Sequence, residues 1–310
     1  AHLNHGNTIT AAGHFSLSTG VHPGKEGIID NEWYDRELKR SYYAVEDTSV
    51  SNLSGKEIIG RSYRHIKNSS LADWMKQSNP NTKIVSLSGK DRAAVLFGGS
   101  DPDLMLWYDK KGAYSMSTYY ADSLPIWVQD FNIRLNVKSY MDSTWNLVRS
   151  PEVYAQNTRI DNFKGEKIVS KKKGATPTLP LLLGHISMKS LLEGFYEYPQ
   201  GDRSLIDLAL ESIERLDLGG DDVSDLLFVG LSATDGVGHH VNAMIHFSRW
   251  SGVAVFPRLA RRFQFDAPEY DRVRFFVNRP WPKAPRDTRV RHRLRREIAL
   301  GRKLHSPETI

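Results

Sequence analysis

Apolar and polar positions along the chain alternate in a way that predicts an α/β domain. Short apolar runs at Ile84–Leu87, Ala93–Phe97 and Leu104–Tyr108 read as strands. From Asp202 to Leu216 the apolar residues Leu205, Leu208, Ala209, Ile213 and Leu216 recur near helical spacing, which predicts a helix. Gly219-Gly220 ends it, and Leu226–Leu231 follows as an unbroken apolar run. Such a run suits a strand buried on both faces, as in a parallel sheet. Helix, glycine turn and buried strand make half of a βαβ unit, whose chemistry collects at the carboxyl ends of strands. Thr234, Asp235 and His239 stand just past such an end.

Residues 121–180 are less regular, and Lys171–Gly174 with Pro177–Pro180 reads as a surface loop or the neck of an inserted cap. Beyond about residue 245 the character changes. Pro and Trp cluster in Asn278–Pro285, and helical periodicity is poor until Arg289. No internal repeat is apparent.

Charge sharpens this boundary. The net charge of +6 over 310 residues divides unevenly: residues 246–310 carry +10 and the rest −4. The basic character therefore belongs to an Arg-rich tail, read as solvated surface rather than as a nucleic-acid-binding arm. The hydrophobic share of 40% and charged share of 25% are those of a globular domain. No run of about 18 apolar residues predicts a membrane span, and the first residues do not have the pattern of a signal peptide. The chain has no Cys, so any metal must be held by His, carboxylate or hydroxyl donors.

Three segments carry chemistry. In Asn7–His14, Thr10 precedes small residues that let the chain enter a helix with a hydroxyl at its N-terminal end. Backbone N–H groups and the helix dipole favour a phosphate dianion there. A hydroxyl beside a metal can also lose its proton and attack phosphorus. Taken alone, such a Thr is more often a plain helix cap. In Ser88–Ala94, Lys90 and Arg92 are two apart, so in extended chain both would face one side as a phosphate clamp, or simply form an exposed basic pair. In Ser232–His239, Asp235 and His239 are spaced four apart, on one side of a helical turn, and suit a divalent ion such as zinc.

These segments, with Ser18–Gly20, Gly27–Asp35, Ser117–Tyr120 and Leu124–Asn132, resemble the type I phosphodiesterase/nucleotide pyrophosphatase group of the alkaline phosphatase superfamily. The likeness is strongest to bacterial alkaline phosphatases that use a Thr nucleophile. It implies an alkaline-phosphatase-like α/β sandwich with a largely parallel central sheet and helices on both faces. It also implies hydrolysis of phosphate monoesters through a Thr phospho-enzyme. Thr10 would attack and also touch metal, while Asn31, Lys90 and Arg92 would hold the phosphoryl oxygens. Thr10, Asp235 and His239 would ligate zinc. Lys90 and Arg92 favour a monoester over the diesters of the phosphodiesterase branch, because a monoester carries one more negative charge. A small phosphate ester is the implied partner, and the implied compartment is periplasmic or extracellular. The residues fix no oligomeric state. Glu26 stands where the group usually has His.

The resemblance covers residues 1–242, with a cap or insert at about 100–185, and leaves 243–310 as a divergent or aberrant tail. The group's first-strand Asp ligand, which precedes the nucleophile, is not in this chain. Neither is its later Asp-His pair. Of two zinc ions in the group, one partial site is therefore expected here, with impaired turnover. Phosphodiesterase activity and a non-catalytic fragment are the alternatives.

Overall fold

The computed structural model describes residues 9–157 and 178–236, together with the short strand Phe276–Val277. Its elements run α1 (Thr10–Thr19), α2 (Pro23–Glu26), β1 (Glu32–Asp35), β2 (Arg40–Tyr43), β3 (Glu46–Asn52), β4 (Gly55–Arg61), α3 (Leu71–Ser78), β5 (Ile84–Ser88), α4 (Asp91–Gly98) and β6 (Leu104–Tyr108). There follow β7 (Tyr114–Ser115), α5 (Ile126–Leu135), β8 (Thr144–Trp145), α6 (Pro151–Asn157), β9 (Leu181–Leu182), α7 (Met188–Gly194), α8 (Pro199–Arg215), β10 (Leu226–Gly230) and β11 (Phe276–Val277).

The central sheet has the order β11-β10-β5-β6-β7. Its three middle strands are parallel, with Leu226 opposite Ile84 and Val85 opposite Leu104, and the strand at each edge is antiparallel. Every residue of β5 and β6 is buried, as strands covered on both faces must be. Alternate residues of β5 serve opposite faces. Ile84 clusters with Phe97 of α4 and Phe228 of β10. Val85 and Leu87 join the larger core that includes Leu205, Leu208 and Ala209 of α8. Helices thus cover both faces. Two further hairpins, β1-β2 and β3-β4, precede the sheet and pair antiparallel. Among the described residues no helix is long and apolar enough to cross a membrane.

The expected helix at 202–216 is α8, and the expected strands at 84, 104 and 226 are β5, β6 and β10. The expected strand Ala93–Phe97 is instead the body of α4. An apolar run this short does not distinguish a strand from a helix buried all round. Ala93 through Gly98 are all buried between α1 and the sheet, so no polar face exposes the helical period. As a consequence, Lys90 and Arg92 do not lie on extended chain: Lys90 is the N-cap of α4 and Arg92 lies in its first turn.

Helix α3 opens with a capping box. Ser70 accepts from the Asp73 N–H, and the Asp73 carboxylate accepts from the Ser70 N–H at 2.7 Å. Ser70→Ala is expected to cost about 1 kcal/mol, read as a lower urea midpoint at unchanged slope.

Candidate active site

The site is built at the N-termini of α1 and α4, beyond the carboxyl ends of β5 and β10. Ala11 and Ala12 are fully buried, and such small side chains let the first turn of α1 pack closely. Thr10 is not the helix cap. Ile9 occupies that position and makes no side-chain cap bond. The capping bond comes from twenty residues downstream, where Asn31 Oδ1 accepts the Ala11 N–H at 2.8 Å. The half-buried Thr10 hydroxyl bonds to no described residue.

Asn31 has a second donor on the same oxygen, Arg92 Nε at 3.0 Å. Two donors on Oδ1 fix which end of the amide is which. The Nδ2 end is therefore a donor that no described residue takes. Arg92 gives Nη1 to the Tyr43 hydroxyl at 2.9 Å and leaves Nη2 without a described partner. Lys90 Nζ, from the N-cap of α4, donates to and pairs with Asp235 Oδ2.

Asp235 lies on a helical turn at residues 233–236, just after β10. That turn is held by Asp202 of α8, whose Oδ1 accepts the Ser232 and Ala233 N–H groups at 2.8 and 3.1 Å. Gly89 permits the close approach of this turn to the end of β5, since a Cβ there would meet Ser232 Oγ at 2.8 Å.

Asn31 thus joins Arg92 to Ala11, the residue after Thr10, while Lys90, two residues before Arg92, pairs with Asp235. His14, one turn along α1 from Thr10, feels the charges of Lys90, Arg92 and Asp235 together. Burial lowers its pKa to about 4, against the bond to Thr10 O that raises it. The neutral ring donates Nδ1–H to that carbonyl at 2.8 Å and meets Phe97 edge-on at 4.9 Å. His239 lies outside the described residues.

Sequence reasoning gave no role to His14, Tyr43, Arg61, Asp91 or Asp202. Only His14 carried a local signal, its spacing of four from Thr10. The expected difference at Glu26 has a structural account: its buried carboxylate accepts a short bond from Thr19 at the end of α1.

In donor type alone, two of the expected ligands suit a divalent cation. The Thr10 hydroxyl and the Asp235 carboxylate are hard oxygen donors. The Lys90 ammonium already places positive charge against Asp235. Among the described residues no three His, Cys, Asp or Glu side chains converge as a complete metal set.

The family model described as type I phosphodiesterase / nucleotide pyrophosphatase matches residues 1–250. The chain is 33% identical to alkaline phosphatase PafA of Elizabethkingia meningoseptica, over 77% of this chain and 44% of that protein. It is 34% identical to alkaline phosphatase PhoV of Synechococcus elongatus, over 75% of this chain and 42% of that protein. The chain thus spans less than half the length of these relatives. A crystal structure of a PafA variant superposes with a TM-score of 0.76 at 29% identity, covering 85% of this chain and 51% of the other. That variant has one Thr, one Asn, one Lys and one Arg substituted. The Thr and Asn are twenty-one positions apart and the Lys and Arg two apart, which are the separations of Thr10 from Asn31 and of Lys90 from Arg92 here. The chain belongs to the type I phosphodiesterase / nucleotide pyrophosphatase family, within the alkaline phosphatase superfamily.

Proposed function

We propose that this site binds a small phosphate monoester and accepts its phosphoryl group on Thr10, the hydroxyl losing its proton as the ester P–O bond breaks and the alcohol leaves, and that water then releases phosphate. The observation that carries this reading is the Asn31 amide oxygen, which takes both the Ala11 N–H, next to Thr10 at the start of α1, and Arg92 Nε. A nucleophile beside hydrogen-bond donors and positive charge is what phosphoryl transfer needs, because catalysis there is mainly positioning and charge neutralisation. Asn31 and Arg92 orient the phosphoryl group by hydrogen bonds. Lys90 adds a point charge, and the dipole of α1 favours the dianion.

Thr10, Asp235 and His239 would hold a zinc ion. Bound there, it would lower the pKa of the Thr10 hydroxyl and neutralise phosphoryl charge. The relatives' printed names, alkaline phosphatase, and the matching spacing of the four substituted PafA residues support the monoesterase branch.

The test is zinc-supplemented hydrolysis of p-nitrophenyl phosphate against its bis-ester. Hydrolysis of the monoester should exceed that of the diester, require added zinc and vanish in Thr10→Ala. Equal turnover by Thr10→Ala, or preference for the bis-ester, would overturn the reading. The Lys90–Asp235 ion pair favours a second reading, a non-catalytic anion-binding module, because it occupies an expected metal ligand. Inorganic phosphate binding with neither turnover nor zinc retention would establish that second reading.

A further inference from the structure

We propose that Asp91, Tyr43 and Arg61 form a positioning relay that presets Arg92 and Asn31 to grip a phosphoryl group. The inference rests on the phosphate-binding reading above and deepens it. The bonds run in one chain across five segments. Arg61, at the end of β4, donates Nε to Asp91 Oδ2 at 2.7 Å and is itself fixed by Nη1 bonds to the Ile59 and Gly60 carbonyls. Asp91 Oδ1, at the start of α4, accepts the Tyr43 hydroxyl proton at 2.5 Å. Tyr43, the last residue of β2, accepts from Arg92 Nη1. Arg92 Nε then reaches Asn31 Oδ1, which also takes the Ala11 N–H of α1.

The direction of each bond follows from the chemistry of its neighbour. An ionised carboxylate only accepts, so Tyr43 must spend its single proton on Asp91. Its oxygen then faces Arg92 as an acceptor, which holds one edge of that guanidinium. Asn31 Oδ1, with two donors on it, turns its amide nitrogen the other way. Free donors remain where phosphoryl oxygens are to bind, and acceptors face the scaffold.

Arg61 decides where the charge goes. Asp91 needs a counter-ion, and the nearer one is Arg61 at 2.7 Å, not Arg92 at 3.8 Å. The Arg61 guanidinium also lies over the Tyr43 ring, 4.6 Å from its centroid. Burial opposes ionisation of Asp91, but Arg61 and the Tyr43 bond outweigh it and hold its carboxyl below the usual range. Burial, with Asp91 beside it, pushes the Tyr43 phenol up, so it keeps its proton. The positive charge of Arg92 is therefore left for an incoming anion.

The test is titration of the full chain with inorganic phosphate in the presence of zinc chloride, in a double-mutant cycle. Tyr43→Phe keeps the ring under both guanidinium groups and removes only the relay oxygen. It should weaken phosphate binding about tenfold, the scale of one charge-assisted bond. The same substitution made on Arg92→Ala should change the affinity less than about twofold, since the group it positions is gone. Arg61→Gln should follow the same pattern, because Asp91 would then turn on Arg92. Equal losses in both backgrounds, or no loss in the first, would overturn the relay. If Arg92→Ala itself leaves phosphate affinity unchanged, the phosphate-binding reading fails and takes the relay with it.

Discussion

Replacing Phe97 by Ala is expected to cost about 3–5 kcal/mol of stability, the range for a large buried aromatic truncated to a methyl group. Phe97 lies in the last turn of α4 at 1% exposure. Its ring stacks on Phe228 of β10 at 4.9 Å and 19°, and receives the edge of His14 from α1. Ile84, Leu226 and Ala72 complete the cluster. Four elements, α1, α3, β5 and β10, therefore lean on one side chain, so the gap closes only if several of them move. Phe97→Leu keeps most of the volume and should cost under about 1.5 kcal/mol. Urea unfolding of the two variants measures this. A Phe97→Ala cost no larger than that of Phe97→Leu would mean that the cluster collapses freely. The effect reaches the site because α1 and α4 carry Thr10 and Arg92, and Phe97 lies at their contact.

Elements were legible in the sequence wherever one face differs from the other. Helix α8 shows its period because its outer face is polar, as at Glu211 and Arg215. Strands β5, β6 and β10 were legible because short apolar runs end in polar or glycine-containing segments. Helix α4 was not, since burial on every side erases the period. Hairpins β1-β2 and β3-β4 carry polar residues on much of both faces and gave no strand pattern, as in Glu46–Asn52.

The candidate site was legible as motifs but not as geometry. Thr10, Asn31, Lys90, Arg92 and Asp235 were named from their segments, and the Asn31 amide joins Arg92 to Ala11, the residue after Thr10. That Asn31 caps α1, a role expected of a local Ser or Thr, depends on a turn that brings back a residue twenty positions away. The relay through Tyr43, Asp91 and Arg61 joins two hairpins to a helix start. No local spacing encodes such a contact.

Asp202 carries the other large expected effect, and it depends on pH. The side chain is buried, and burial pushes its pKa up to about 7 from an ordinary value of 3.8. The Ser232 and Ala233 N–H bonds and the charge of Lys90 pull in the opposite direction but do not win. The folded state therefore keeps a proton that the unfolded chain releases between these two values. Stability is full below the unfolded pKa, falls as pH rises toward 7 and then levels. Across roughly three pH units the loss is about 4 kcal/mol. Asp202→Asn keeps an oxygen for both N–H donors and cannot ionise. It should match the parent near pH 4 and exceed it above pH 7, with the gap opening between. Urea midpoints from pH 4 to 8 measure this. A gap that stays constant with pH would show that Asp202 is ionised throughout. The turn it holds carries Asp235, so the zinc binding proposed for this site should persist in Asp202→Asn at pH 8, whereas Asp202→Leu, which has no acceptor, should lose it.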